Sequence, residues 1–206
     1  MWLYRINHAI GPVAGLYWRL GLAGEVDAVP PEGPLLLASN HASYMDPWLL
    51  GMAFPRLIRY LITREWYYKS PVWNALFRAF ATEPVRANDA RATVEAVCRI
   101  LARNEVVGIF PEGRIARDGQ IQRFRPGLGR MAALSGAPVM PVGIRGSMQS
   151  LPRHGRFPKP VRVTIHLGKP IIFPGSPYAD PPPREETQTF LDRISNEVTR
   201  LAGHTT

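Results

Sequence analysis

Short apolar runs alternate along this chain with longer stretches of helical periodicity, and two of the runs end abruptly in polar turns. Leu35-Leu36-Leu37-Ala38, Leu57 to Thr63, Ala81 to Val85, Val106 to Phe110 and Val139 to Ile144 read as strands. Between them, Ser70 to Phe80, with Val72, Leu76 and Phe80 at helical spacing, reads as a helix capped by Ser70-Pro71. Asn88 to about Asn104 reads as the next helix, with Asn88 as its cap, and Gly127 to Ser135 as another. Alternation of this kind predicts a largely parallel central sheet with helices on both faces. A chain of 206 residues fills one core well and is too short for two comfortable domains, so the expected fold is a single α/β domain.

Beyond Gly146 the texture changes. Gly155 to Pro160 is turn-rich, Val161 to Leu167 alternates as a strand, and Pro174 to Pro183 holds too much proline for regular structure. Glu185 to Leu201 predicts a closing helix that carries Phe190, Ile194 and Val198 on one face. Cys98, spaced with Val94, Val97 and Leu101 inside the helix from Asn88, reads as core; a lone cysteine fits a reducing compartment.

The first 25 residues are set apart as a short helical segment facing a membrane, and 26–206 as the α/β domain. Trp2, Tyr4, Tyr17 and Trp18, interspersed with Arg5 and Arg19, suit the interfacial zone of a bilayer. The uncharged stretch runs only from Ala9 to Trp18, well short of the ~20 residues a span needs, and Gly11-Pro12 divides the segment into two helical pieces. A helix packed on the body of the domain is the competing reading. Peripheral or monotopic attachment is expected, with Trp66, Tyr67, Tyr68 and Trp73 as further contacts.

Function concentrates at the polar turns. Asn40 to Asp46, NHASYMD, sets a histidine and a carboxylate five positions apart directly after an apolar run. On a helix that interval turns about 500°, which separates the side chains, whereas a turn leaving a strand lets them meet. Pro47 disfavours helix at Asp46 and suits the first turn of a helix after it. An imidazole is well poised to take a proton near neutral pH, and a neighbouring carboxylate fixes its tautomer. The alternative is a turn histidine beside an aspartate that merely caps the next helix. A second polar turn, FPEGRIARDG from Phe110 to Gly119, again follows an apolar run, so both turns are expected at the ends of neighbouring strands, forming one site.

Other chemistries fall away. There is no GxxxxGK[ST] loop, no GxSxG elbow and no HExxH helix. His41, Asp46 and Glu112 are metal-ligand types, but no second histidine stands at ligand spacing, and no metal is expected. Lys+Arg of 25 against Asp+Glu of 16 gives a net charge of +9, which favours anionic partners: phosphate esters, nucleic acid or an acidic membrane face. Among Arg86, Arg114, Arg117, Arg123, Arg125 and Arg130, several crowd the second polar turn, and guanidinium suits phosphate oxygens. A solvated basic face is the reading for Arg117, Arg123 and Arg130.

These residues carry a family resemblance. NHASYMD resembles the NHxxxxD block of the glycerolipid acyltransferases, the 1-acyl-sn-glycerol-3-phosphate acyltransferases. Glu83-Pro84-Val85-Arg86 resembles their second block, FPEGRIARDG their FPEG block, and Ala137-Pro138-Val139-Met140-Pro141-Val142 their fourth. The resemblance implies His41 as general base, oriented by Asp46, acting on the free hydroxyl of a lysophospholipid, which attacks an acyl thioester without an acyl-enzyme. It also implies substrate-binding roles for Asn40, Ser43, Arg86, Glu112, Gly113, Arg114 and Arg125. The implied activity moves an acyl group from acyl-CoA or acyl carrier protein, as co-substrate and with no cofactor, to 1-acyl-glycerol-3-phosphate, at the cytoplasmic face of the cell membrane. Two departures stand out: Arg114 occupies the usual threonine position, with Ile115 in place of arginine, and Arg125 stands where lysine is common. Other lysolipid acceptors fit the same blocks. Outside catalysis, a basic module that binds membrane would use the turns only as caps. Nucleic acid is not an expected partner, since the aromatic residues lack the spacing of a stacking platform.

Overall fold

The computed structural model describes residues 15–116, 118–152, 155, 157–175 and 181–203. A helical turn at 15–18 (α1) leads into β1 (Gly21–Gly24), a 3₁₀ turn at Val26–Ala28, and β2 (Leu35–Ser39). Then follow α2 (Asp46–Ala53), β3 (Ile58–Arg59), β4 (Leu61–Thr63), α3 (Arg64–Tyr67), α4 (Pro71–Ala79), β5 (Glu83–Val85) and α5 (Ala90–Leu101). The chain continues through β6 (Val106–Ile109), α6 (Gly127–Ser135), β7 (Val139–Arg145), α7 (Ser147–Ser150), β8 (Thr164–Leu167) and α8 (Arg184–Ala202).

Six strands form one sheet in the order β1-β8-β7-β2-β6-β3. Neighbours from β7 to β3 are parallel, whereas β8 runs antiparallel to β7 and carries β1 parallel to itself. The largely parallel expectation therefore holds for the centre, and the edge beyond β7 reverses.

The all-apolar run of β2 is explained by burial on two faces. Leu36 and Ala38 pack with α5, α6 and α8 through Val97, Met131, Phe190, Ile194 and Val198. Leu35 and Leu37 face the other way, onto Trp18 and the α2 residues Leu49 and Leu50. Gly143 in β7 lets α8 come close, because a Cβ there would strike the backbone of Leu201. Cys98 is half-buried and packs on the edge of the first of these clusters.

Four sequence expectations change. The run from 57 to 63 is not one strand: it breaks at Tyr60, and β4 leaves to pair with β5 in a separate two-stranded sheet. Asp89, not Asn88, caps α5, accepting from the Ala92 N–H at 2.8 Å, while Asn88 takes the left-handed conformation that turns the chain into it. The segment placed at 1–25 is described only from residue 15; there helix stops at 18, and Gly21–Gly24 is an edge strand paired to β8. Trp18 is only 7% exposed and donates its indole N–H to Ser150 Oγ, so it is a core residue; Trp2, Tyr4, Arg5 and the Gly11-Pro12 break lie outside the described residues.

Candidate active site

Parallel strands deliver their C-terminal ends to one rim of the sheet, and the loops that leave them build the site. At the end of β2 the chain turns through Asn40 and His41 before entering α2. Asn40 is buried and closes a two-bond bracket with β7, donating to Ile144 O at 3.1 Å and accepting from Ile144 N–H at 2.7 Å. Ser43, also buried, donates to Leu151 O and accepts from the Met45 N–H. Both side chains hold the turn in place, and neither lines the adjacent cleft.

His41 and Asp46 meet as the turn geometry requires. Nδ1 and Asp46 Oδ2 are 2.8 Å apart. The same carboxylate oxygen accepts from the backbone N–H groups of Ala42 and Ser43, each at 2.8 Å, so Asp46 points back into the turn and does not cap α2. Asp46 is fully buried, while His41 keeps 16% of its side-chain surface open to the cleft. In the neutral tautomer whose Nδ1 donates to the carboxylate, Nε2 keeps its lone pair, the form a general base needs. Phe110 stacks on the imidazole at 4.1 Å between centroids and restricts its rotation.

The second turn is bolted to the first by Glu112. One of its oxygens accepts from the His41 N–H at 2.8 Å, the other from the Gln122 N–H at 3.0 Å. Ala116 N–H completes the joint by donating to His41 O. Burial pushes the Glu112 carboxyl up, and the two backbone donors together with nearby His41 only partly oppose that. Glu112 is thus a brace under the histidine, away from the cleft surface.

Gly113 has φ of +70°, a conformation costly for other residues, and a Cβ there would run into the guanidinium of Arg125. The arginine therefore lies against the bare backbone of the turn. Arg114 and Arg125 line the cleft with His41 and are exposed to solvent. Arg86 is exposed just past β5; its neighbours Val85, Asn88 and Asp89 line the cleft, and Arg86 itself does not. Arg123 is exposed and bonded to Gln188, Arg130 also lines the cleft, and Arg117 lies outside the described residues.

The cleft holds about 1700 Å³ and changes character along its length. His41, Arg114 and Arg125 mark its polar part, whereas Trp48, Trp73, Phe77 and Phe80 build an apolar arm among α2 and α4, with Trp48 against Phe80 at 5.1 Å and Trp73 stacked on Phe77 at 5.5 Å. A histidine bonded to a buried carboxylate, the solvent-facing guanidinium groups of Arg114, Arg125 and Arg184, and an apolar aromatic lining can bind an amphiphile with an anionic head and move a proton at a hydroxyl.

The sequence model of the acyltransferase family matches residues 24–145, more than half of the chain and every turn just described. The chain belongs to the acyltransferase family. A 1-acyl-sn-glycerol-3-phosphate acyltransferase of Bacillus subtilis is 23% identical over 176 residues, which cover 84% of this chain and 83% of that protein. A chloroplastic 1-acyl-sn-glycerol-3-phosphate acyltransferase of Arabidopsis thaliana is 26% identical over 168 residues, or 75% of this chain and 44% of that one. The chain thus spans less than half the length of its chloroplastic relatives. In fold it is similar to the crystal structure of the 1-acyl-sn-glycerophosphate acyltransferase of Thermotoga maritima, with a TM-score of 0.78 at 22% identity, covering 98% of this chain and 81% of that one.

Within this chain, the sequence anticipated the contact of His41 with Asp46 and the turn that joins them. It missed Phe110 as the platform under the imidazole, and Gln122 as the second partner of Glu112. Phe110 had a signal, since it opens the FPEG block, but not for this role; Gln122 had none, because a glutamine in a loop is ordinary there.

Proposed function

We propose that this chain transfers a fatty acyl group from an acyl thioester, carried by coenzyme A or acyl carrier protein, to the free hydroxyl of 1-acyl-glycerol-3-phosphate, giving phosphatidic acid. The observation that carries this reading is the His41 Nδ1–Asp46 Oδ2 bond of 2.8 Å at the edge of a cleft that is cationic near the histidine and apolar beyond it. Family membership and the activities for which the relatives are named support it.

In this reading Nε2 of His41 takes the hydroxyl proton as the oxygen attacks the thioester carbonyl, and Asp46 stabilises the imidazolium. The C–O bond forms, the tetrahedral centre collapses, the C–S bond breaks, and the imidazolium returns its proton to the departing thiolate. Proton and electron pair are both accounted for without a cofactor. Arg114 and Arg125 are the residues we assign to the acceptor phosphate, with Gly113 admitting it close to the backbone. Arg86 is assigned to the mouth of the site. Asn40, Ser43 and Glu112 serve binding through the shape of the turns. The acyl chains occupy the aromatic arm.

Among the described residues no helix is long and apolar enough to cross a membrane. Exposed Tyr44, Trp66 and Trp73 line the cleft and Tyr68 and Val72 are exposed on the same short helical region, so we place this rim against the lipid surface, peripherally, at the cytoplasmic face of the cell membrane.

The test is thiol release from palmitoyl-coenzyme A with and without lysophosphatidic acid, running His41→Ala beside the wild type. Acceptor-dependent release that falls about 10³-fold in the variant is expected. Retained release in His41→Ala refutes the base; silence of the wild type across other lysolipids and acyl carrier protein donors leaves a basic membrane-binding module.

A further inference from the structure

Pockets for a single small ligand commonly hold about 300–1,000 Å³. This cleft holds about 1700 Å³, room for a second molecule beside the acceptor. One of its walls comes from α8, whose first two turns present Arg184, Thr187, Gln188 and Leu191 to the cleft. Those positions are spaced i, i+3, i+4 and i+7, a single stripe of the helix. α6 holds the stripe in place: a Cβ on Gly129 would come within 2.7 Å of Thr187 Cγ2 and 3.9 Å of Leu191 Cγ. Leu128, Arg130 and Met131 of α6 line the cleft alongside it. Arg123 fastens the same stripe from outside, donating to Gln188 Oε1 at 3.1 Å.

The charge of the lining is strongly one-sided. Among the described residues it includes four arginines, Arg114, Arg125, Arg130 and Arg184, against one carboxylate, Asp89, which caps α5. Arg114 and Arg125 belong to the second polar turn; the Arg125 N–H donates to Pro111 O, and its guanidinium lies against Gly113. Arg130 stands one turn into α6, and Arg184 opens α8, the helix packed against α6. Arg184 is exposed and, among the described residues, makes no hydrogen bond or ion pair. Its first-turn neighbours Glu185 and Glu186 are not part of the lining. The phosphate of a glycerol phosphate acceptor is joined to the reacting hydroxyl through the glycerol carbons alone. With that hydroxyl at His41, the phosphate is matched by the guanidinium groups of the adjoining turn. Cations carried on other elements suit a ligand whose phosphate lies far from its reacting atom. An acyl thioester of phosphopantetheine is such a ligand, because the whole pantetheine arm separates the thioester carbon from the phosphate.

We propose that Arg184, with Gln188 one turn along α8 and Arg130 on α6, binds the phosphate of the donor's 4′-phosphopantetheine, the group that coenzyme A and acyl carrier protein share. This donor subsite is separate from the acceptor phosphate site at Arg114 and Arg125. Guanidinium meets a phosphate with two parallel donors, and the Arg184 fork is open to solvent to do so. The pantetheine arm then lies along the first turn of α6, with its thioester directed to His41. The catalytic consequence rests on the acyl-transfer reading given above; the binding of the phosphate does not.

Arg184→Gln tests this, with Arg193→Gln as the control. Arg193 is exposed on the same helix and carries the same charge, but it stands nine residues on, on the opposite side, where it lines a separate pocket with Glu25 and Lys169. Arg184→Gln should raise KM for palmitoyl-coenzyme A roughly tenfold and leave kcat and the acceptor KM within about twofold, while Arg193→Gln behaves as wild type. S-palmitoyl-4′-phosphopantetheine should show the same loss. S-palmitoyl-pantetheine, which lacks the phosphate, should be used equally by wild type and Arg184→Gln. Palmitoyl-acyl carrier protein is run beside the coenzyme A thioester; the loss should appear with each donor that wild type uses, and the preferred donor identifies the carrier. Equal loss with the phosphate-free thioester overturns the subsite. So does loss with coenzyme A but none with the phosphopantetheine thioester, or an acceptor KM that rises as much as the donor's. A readout without turnover keeps the two claims apart: coenzyme A titrated calorimetrically into each protein, with no acceptor present, should bind about tenfold more weakly to Arg184→Gln. Binding weakened in that way, with no acyl transfer by any of the proteins, leaves the subsite standing and removes only the proposed function. Coenzyme A bound equally by wild type and Arg184→Gln, or by neither, overturns the subsite whatever the turnover.

Discussion

Asp46→Asn is the change that most cleanly separates charge from shape in this site. An asparagine carbonyl can occupy the place of Oδ2 and still accept from Ala42 N–H, Ser43 N–H and His41 Nδ1, the three bonds that the carboxylate makes at 2.8 Å. The turn should therefore survive, with a melting temperature within a few degrees of wild type. What disappears is the negative charge facing the imidazolium that forms during the reaction. For charges spread over a ring and a carboxylate, a separation of about 4 Å at an effective dielectric constant near 20 gives roughly 4 kcal/mol. The residual neutral hydrogen bond keeps about 1 kcal/mol of that, leaving a loss of about 3 kcal/mol. Converted to rate, kcat should drop about 100- to 200-fold. Because the carboxylate is buried beneath the histidine and does not line the cleft, KM for the acceptor should change less than about threefold. Initial rates of thiol release at saturating acceptor, with thermal melts on the same preparations, measure both quantities. A variant that melts like wild type and retains more than about a fifth of its kcat would refute the role given to the Asp46 charge.

Two further changes probe the second turn. Gly113→Ala forces a side chain onto a residue at φ +70° and into the Arg125 guanidinium, so stability should fall by about 1–2 kcal/mol and KM for a phosphate-bearing acceptor should rise roughly tenfold; an unchanged KM would dissociate Arg125 from the phosphate. Glu112→Gln leaves either His41 N–H or Gln122 N–H facing an amide NH₂, at a cost of about 1–3 kcal/mol. Because the native Glu112 carboxyl is raised above its ordinary 4.5, its proton-linked contribution to stability is full at low pH and is lost as pH climbs through the native value. Urea unfolding from about pH 4 to 7 should then show the gap between wild type and Glu112→Gln narrowing as pH rises, and a gap constant across that range contradicts the raised carboxyl.

The parts of the fold legible in the sequence are those written in local pattern. The apolar run before NHASYMD, the four-residue spacing of Phe190, Ile194 and Val198, and the Ser70-Pro71 start each correspond to an element observed, β2, α8 and α4. His41 and Asp46 are legible because a five-residue interval can close only within a turn. What stays hidden depends on partners distant in sequence. Asn40 reads as a substrate contact until β7 supplies Ile144, 104 positions later, to take both of its amide groups. Glu112 likewise reads as an acceptor ligand until the fold brings the His41 N–H to it. Trp18 reads as interfacial by composition, yet tertiary packing buries it beside Ser150. The break at Tyr60 has no local signature, since Leu57 to Thr63 is as apolar as any strand, and only the pairing of β4 with β5 pulls the chain out of the main sheet.

The central claim is that His41 makes an acyl acceptor of a lysophosphatidate hydroxyl. Mass spectrometry of the lipid product tests it most directly, using purified protein, palmitoyl-coenzyme A and 1-oleoyl-glycerol-3-phosphate in vesicles. Wild type should accumulate phosphatidic acid bearing one palmitoyl and one oleoyl chain, in step with thiol release, and His41→Ala should form none above background. Thiol release accompanied by free palmitate and no phosphatidic acid, or equal product from both proteins, would contradict it.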